Sequence, residues 1–261
     1  MSFPFNFLGR IFKRSGIEAG GGGRRWDGAP MLAAPQQTAL TARGPAKARA
    51  AALYLNSPYG QRIVEAWTTA LAGKGYQVRS AHPDQAERRR LNEDFEQLAN
   101  PHLVLVARAL VRDGEAFLQL LVDEDGEMSI RQLAADQIDP TLSRDLGNGA
   151  RIVAGIEFDA SERIVAYHVL RDAPGSPFAV FTEAVRVPAS DMIHIFDRLF
   201  PGQVRGLSWL APVLLKLRDR DETSDAQLMA MKVQSLLTVF IKDLEGGTGG
   251  FDGETVGNAV N

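Results

Sequence analysis

The spacing of apolar positions along this chain changes from helical to alternating and back to helical, and that change sets the expected fold. Residues 46–55 form an Ala-rich helix, with order beginning near Pro45. Asn56-Ser57-Pro58 then supplies a cap residue followed by proline at the first helical position. Ile63, Ala66, Trp67, Ala70 and Leu71 share one helix face, with Trp67 as its core anchor, and Gly73 and Gly75 mark the stop. Tyr76–Arg79 reads as a short strand. A charged helix follows from about Pro83 to Ala99, and a separate, nearly all-apolar helix covers residues 101–112, with Arg108 and Arg112 at its end.

Past Asp113-Gly114 the alternation is that of strands. Glu115–Val122 and Met128–Leu133 flank the turn Asp123-Glu124-Asp125-Gly126, a hairpin pattern. Arg151–Phe158 and Arg163–Leu170 flank residues 159–162 in the same way, a loop covers 171–182, and Val185–Phe196 reads as one further strand with Pro188 near its start. Helical spacing returns at Leu210, Val213, Leu214 and Leu217, the i, i+3, i+4, i+7 stripe of one buried face. A long helix is expected from Trp209 toward Phe240, with a charged middle over Arg218–Asp225 and a second stripe of Met229, Val233, Leu236 and Phe240.

This order predicts an α+β protein: a helical region, a central antiparallel β-rich region, and a long C-terminal helix. The expected divisions are a flexible arm over 1–44, helices over 45–113, strands over 114–204, the long helix over 205–245 and a glycine-rich flexible tail over 246–261.

Composition narrows the chemistry. The chain has no cysteine, which excludes disulfides, thiolate catalysis and Cys-based metal sites. Its net charge of −3 provides no overall field to attract nucleic acid, so any such contact has to be local. No apolar run approaches the ~20 residues that span a bilayer. Met1–Phe12 is apolar and aromatic, but Arg10, Lys13 and Arg14 follow its apolar part rather than precede it as in a secretory signal. It reads as a mobile or subunit-docking arm, with a surface-lying amphipathic segment as the competing reading and no membrane partner expected.

Each motif that invites a chemical reading lacks a required part. Gly20–Gly23 is not followed by the Lys-Ser/Thr of a phosphate-binding loop. The acidic turn 123–126 has Gln at position 132, where a calcium loop needs Glu. Gly206-Leu207-Ser208-Trp209-Leu210 has Leu where a nucleophile elbow needs Gly. Asp252 stands where a run from Gly247 and Gly249 would need its third glycine. Asp219, Asp221 and Glu222 alternate with Arg218 and Arg220, and residues two apart on a helix do not converge on a metal. His82, His102, His168 and His194 show no metal-ligand spacing, although His168 and His194 could meet in space. Arg88-Arg89-Arg90 is flanked by acids one turn away and reads as a solvated face, with a DNA-binding adapter as the competing reading. No catalytic, cofactor-binding or metal-ligating residue is assigned, and no cofactor is expected.

Three long segments do carry a resemblance: GIEFDASERIVAYHVLRD over 155–172, RVPASDMIHIFDRLFPGQVRGLSWLAPVLLKLRDRDE over 186–222, and the helix through VFIKD at 239–243. With NSPYGQRIVEAW at 56–67 and ALVRDGEAFLQL at 109–120, in the same order, the chain resembles the lambda-type portal proteins of tailed bacteriophages over about residues 45–243. GRRWDG at 23–28 is a looser echo. The resemblance implies a structural, non-enzymatic subunit of a dodecameric ring at one capsid vertex, in the virion and, during assembly, in the host cytoplasm. It implies partners as well: further copies of the chain, the major capsid or scaffolding protein, the terminase large subunit, head-tail connector proteins, and double-stranded DNA passing non-specifically through the channel. Members of that family are longer than this chain, so the alternative expectation is a truncated, non-assembling prophage remnant.

Overall fold

The computed structural model describes residues 32–177 and 183–248, with side chains of the last helix described as far as Leu236. Residues 1–31 of the arm expected over 1–44, including Gly20–Gly23, residues 178–182 of the loop expected over 171–182, residues 249–261 of the tail expected over 246–261, and the Phe240 side chain lie outside the described residues.

Three helices come first: α1 (Pro35–Asn56), α2 (Pro58–Ala72) and α3 (Gln85–Asp113). Helix α1 starts ten residues before the expected onset of order, and it runs through Pro45. The reason is tertiary. Arg43 and Lys47 flank that proline and are tied to Glu115 and Asp136, contacts that offset the backbone hydrogen bond proline removes. Between α1 and α2, Ser57 acts as the expected cap, its hydroxyl accepting from the Gly60 N–H.

The buried residues of α2 are Gly60, Val64, Thr68 and Ala72, so its contact face is turned from the one expected. Gly60 explains the turn: a Cβ there would lie 2.6 Å from the Leu53 carbonyl oxygen, so α1 and α2 meet backbone to backbone along the small side of α2. Trp67 is left 51% exposed, its ring edge-on to Trp209 at 5.6 Å.

Residues 76–80 are extended but form no strand. Their N–H groups are taken by side chains of α3: Tyr76 donates to Asn100 (3.1 Å), Val78 to Glu96 (3.3 Å) and Ser80 to Asn92 (2.7 Å). Two extended residues advance about 6.8 Å and four helical residues about 6 Å, so alternate N–H groups meet successive turns. The same contacts carry α3 past Pro101, where the sequence predicted two helices. Asn100 also donates to the Tyr76 carbonyl, which fixes the turn ahead of the proline.

The strands build two antiparallel sheets. The first has the order β2 (Met128–Leu133), β1 (Glu115–Val122), β8 (Met192–Phe196). The second is a meander of β3 (Arg144–Gly147), β4 (Ala150–Val153), β5 (Ile156–Phe158), β6 (Ile164–Val169) and β7 (Val185–Pro188). Two expected strands are divided. Arg151–Phe158 turns back on itself at Ala154-Gly155, where both residues have positive φ, giving β4 and β5. Val185–Phe196 is interrupted by a 3-10 turn at Ala189–Asp191 and feeds one sheet through β7 and the other through β8. The β3–β4 hairpin, turning at Asn148-Gly149, adds to what the sequence predicted.

Strand β1 is buried on both faces because side chains alternate across it. Ala116 and Leu118, with Ile130 and Ile195, pack on Val106, Ala109 and Leu110 of α3. Phe117, with Leu133 and Met192, packs on Ile156, Tyr167, Val169 and Val187 of the second sheet. The order of layers is therefore helices, three-stranded sheet, five-stranded sheet.

Residues 209–213 are turns, so helix α4 (Leu214–Thr248) begins later than expected. Leu210 and Leu214 of the first stripe join α1, α2 and α3 in a core with Ala50, Val64 and Val111. The second stripe does not bury: Met229, Val233 and Leu236 are exposed.

Candidate functional site: a buried ion cluster

At the end of α3, Gly114 takes a left-handed conformation (φ 92°), its N–H reaching back to the carbonyls of Ala109 and Leu110. The chain turns there directly into β1, and Glu115 is the first residue of the strand. Residues 205–208 cross the same point. A Cβ on Gly114 would lie 2.2 Å from the Leu207 carbonyl carbon, and one on Gly206 would lie 2.2 Å from the Gly114 carbonyl oxygen. This contact of bare backbones brings Arg205 and Gly206 onto the Glu115 carboxylate.

Glu115 is fully buried. Its Oε1 accepts from Arg43 Nε (2.9 Å) and Nη2 (2.5 Å), and from Arg205 Nη2 (2.7 Å). Its Oε2 accepts from the Gly206 N–H (2.9 Å), Arg205 Nε (3.1 Å) and His194 Nε2 (3.2 Å). Arg205 is also buried, and all five of its N–H donors find acceptors. Besides the carboxylate these are the carbonyls of Ala154 (2.6 Å), Ala135 (2.8 Å) and Ile138 (3.4 Å). Its guanidinium lies 5.3 Å from the centre of the Phe117 ring. His194 stacks between Phe117 (4.1 Å) and Phe196 (4.4 Å), which the register allows because Phe117 pairs with His194 and Glu115 with Phe196. The cluster thus joins α1, the α3–β1 junction, β8, the β4–β5 turn and the segment after β2.

The charge states follow from these contacts. Burial alone would push the Glu115 carboxyl up, but Arg205, the His194 hydrogen bond and Arg43 together hold it far below the usual carboxylate range. Burial lowers His194, against the opposing pull of Glu115. Geometry agrees: with Nε2–H donating to Glu115, Nδ1 has no hydrogen-bond partner, so a proton added there would be a buried, unsatisfied donor. Burial also lowers Arg43, helped by the like charge of Arg205. Tyr167, edge-on to both Phe117 and His194, is pushed up to about 12 by burial and stays a neutral phenol.

Both depressed groups give the same sign of pH dependence. In the unfolded chain His titrates near about 6.5 and Glu near about 4.3, above their folded values. Below those points the unfolded state binds protons that the folded state does not, so stability present above about pH 6.5 is lost as pH falls, first through His194 and then through Glu115. The urea midpoint is expected to be flat near neutrality and to fall on acidification. In His194→Gln, which keeps a donor toward Glu115, the first part of that fall is expected to vanish. A midpoint that rises from neutral pH to mildly acidic pH would refute this assignment.

The residues singled out from sequence are distributed rather than gathered. His194 and His168 do not meet. Tyr167 faces the core, so its neighbour His168 points to the opposite face of the sheet, where Nε2 lies 3.0 Å from Glu157, itself held by Arg186. His82 accepts the Asp84 N–H through Nδ1 at the entry to α3, and His102 lies half-buried on that helix. Arg89 and Arg90 are exposed and Arg88 is half-buried, with Arg90 facing Asp94 at 3.7 Å. Ser208 is buried, its hydroxyl donating to the Val111 carbonyl and accepting from the Leu210 N–H. Glu222 pairs with Arg218 across one turn of α4. The acidic turn 123–126 is exposed, with Asp123 Oδ1 accepting from the N–H groups of Asp125 and Glu127. Among the described residues no His, Asp and Glu cluster is arranged to hold a metal ion, and no helix is long and apolar enough to cross a membrane. Sequence reasoning missed Glu115, Arg43 and Arg205 altogether.

A curated relative, the "Probable portal protein" of Halomonas phage phiHAP-1, is 32% identical over 135 residues, which are 50% of this chain and 26% of that protein. The chain thus matches about a quarter of the length of this relative. A solved structure described as "Neck of empty GTA particle computed with C6 symmetry" is a distant likeness at 15% identity and a TM-score of 0.35, covering 85% of this chain and 50% of that one. The family model "Phage portal protein, lambda family" matches residues 22–258, nearly the whole sequence, and the chain belongs to that family.

Proposed function

We propose that this chain is a structural subunit of a portal ring at one vertex of a phage or prophage capsid. Twelve copies surround a channel through which double-stranded DNA is packaged and later ejected. The ring docks the terminase large subunit, sits against the major capsid or scaffolding protein, and later receives the head-tail connector proteins. Its place is the virion, reached by assembly in the host cytoplasm. The observation that carries this reading is the family match from residue 22 to residue 258.

Two physical features support it. A net charge of −3 gives no overall attraction to phosphate, which suits a wall along which DNA slides without being held. The Glu115 cluster ties helices and both sheets at one point, which suits a subunit that transmits force rather than one that opens around a substrate. The protein is read as structural rather than catalytic, in keeping with a family whose members form rings.

The test is the native mass of the purified chain by light scattering on a sizing column. A discrete dodecamer is expected. A monomer at every concentration would overturn ring formation by this chain.

A further inference from the structure

Two features of the surface are unmatched within the subunit and complementary to one another. The first is a cleft of about 280 Å³ between the two sheets, walled by Phe158, Ile164, Phe196 and Val204, with Arg151 and Arg198 at its rim. Each arginine lies over an aromatic ring of the cleft, Arg151 over Phe158 (5.7 Å) and Arg198 over Phe196 (5.4 Å). Arg151 is neutralised by Glu162, with which it makes a two-pronged ion pair. Arg198 has no ion pair among the described residues; Asp197 is its neighbour in sequence, but the two are not paired. The cleft therefore offers apolar walls and one uncompensated cation.

The second feature is the tip of the β1–β2 hairpin. Val122 and Met128 are directly paired across it and are 65% and 52% exposed. Between them lie Asp123, Glu124, Asp125 and Glu127, all exposed, and none in an ion pair among the described residues. Asp123 serves the turn itself, which leaves the other three carboxylates free to face outward.

The two features cannot meet within one subunit. Phe196 pairs with Glu115 at one end of β1, and the acidic tip is at the other, seven residues or about 24 Å away. Complementary patches at opposite ends of one element suit a head-to-tail contact between identical copies, the type of interface that closes into rings. We propose that the acidic tip 122–128 of one copy docks in the Arg198 cleft of the next. Met128 or Val122 enters between the apolar walls, and the carboxylates of Glu124, Asp125 and Glu127 surround Arg198 at the polar rim. The occupant is a second copy of this chain rather than nucleic acid, because phosphate has no use for apolar walls and is repelled by the tip. The inference rests on the ring-subunit reading and specifies one of its contacts.

The experiment is a charge swap in the full chain, read by mass photometry and by the salt dependence of assembly. Arg198→Glu alone, and Glu124→Arg with Asp125→Arg alone, are each expected to weaken self-association at least about tenfold, while the chain carrying all three changes recovers most of it. Single-surface variants that assemble like the parent overturn the contact and leave the ring reading standing. A parent chain that never self-associates overturns both. Weakened variants without recovery in the combined chain show that the two surfaces do not pair, and overturn the proposal.

The absence of cysteine gives a second measurement that reverses no charge and keeps Arg198, Asp125 and Glu127 in place, should the reversed side chains prevent folding. Glu124→Cys with Leu199→Cys is expected to give a ladder of oxidised multimers, and Glu124→Cys with Arg62→Cys, on the outer face of α2, is not. Equal ladders, or none, overturn the docking.

Discussion

Glu115→Gln is expected to destabilise the protein by about 3–5 kcal/mol, the range for removing one member of a buried ion pair. That is a large share of the roughly 5–15 kcal/mol by which domains are stable. The glutamine keeps the shape and one accepting oxygen, but its NH2 faces donors in place of the other oxygen, so the loss reports the charge together with the hydrogen bonds that oxygen accepted. Without the carboxylate, Arg43 and Arg205 remain buried beside each other, two like charges for which burial and mutual repulsion already act in the same direction at Arg43. The measurement is urea unfolding at neutral pH. A drop below about 1 kcal/mol would mean that solvent or rearrangement compensates the arginines, and the cluster would not be the fastening it is taken to be.

A combined variant separates the contribution of the pair from the cost of breaking it. With Glu115→Leu, Arg43→Met and Arg205→Met together, no charge is left unpaired, and replacing buried ion networks with apolar side chains is often neutral or stabilising. The combined variant is therefore expected to be much more stable than Glu115→Gln. Its cost should arise at the carbonyls of Ala135, Ile138 and Ala154, which lose the donors Arg205 supplies, and at the Gly206 N–H and His194 Nε2–H, which lose the Glu115 acceptor. That is the sense in which the cluster specifies the fold: it dictates which loops converge on the end of β1.

Much of the fold was legible because it rests on local signals. The β1–β2 hairpin follows from alternation around an acidic, glycine-ended turn, and the Ser57-Pro58 helix start from capping chemistry. What was not legible depends on distant partners. Pro45 and Pro101 read as boundaries from local rules, and both are overridden by side chains contacting another element. The division of Val185–Phe196 between two sheets is likewise invisible in its alternation, since both halves have the same period. The central cluster was hidden for the same reason. Arg43, His194 and Arg205 are separated from Glu115 by 72, 79 and 90 residues, so no spacing rule joins them. A faint signal existed in Gly114-Glu115 and Arg205-Gly206, opposite charges each beside a glycine, but one sequence gives no means of pairing them.

Those two glycines carry the second large effect. Gly114→Ala is expected to cost more than about 3 kcal/mol, beyond the usual 1–3 kcal/mol for an overfilled core. Two penalties combine. At φ 92° an L residue is strained. Its Cβ would also stand 2.2 Å from the Leu207 carbonyl carbon and 2.5 Å from the Ser208 nitrogen. Those are backbone atoms, which cannot swing aside as a flexible side chain can. Gly206→Ala lacks the φ strain but meets the Gly114 carbonyl oxygen at 2.2 Å, so it is expected to be severe and somewhat less so. Either Cβ pushes the 205–208 segment away from β1, lengthening the bonds from Gly206 and Arg205 to Glu115; the clash therefore also breaks the cluster. Gly44→Ala is the control. It lies exposed inside α1, and apart from its chain neighbours and the helix's own backbone nothing comes within 4 Å of its Cβ. The helix preference of alanine is opposed there by crowding against the ring of Pro45, so the change is expected to stay within about 1 kcal/mol of the parent. Urea unfolding of the three variants should place Gly114→Ala lowest, Gly206→Ala next and Gly44→Ala close to the parent. If Gly206→Ala matched the parent, the crossing of bare backbones would have room to spare, and the positioning of Arg205 over Glu115 would need another cause.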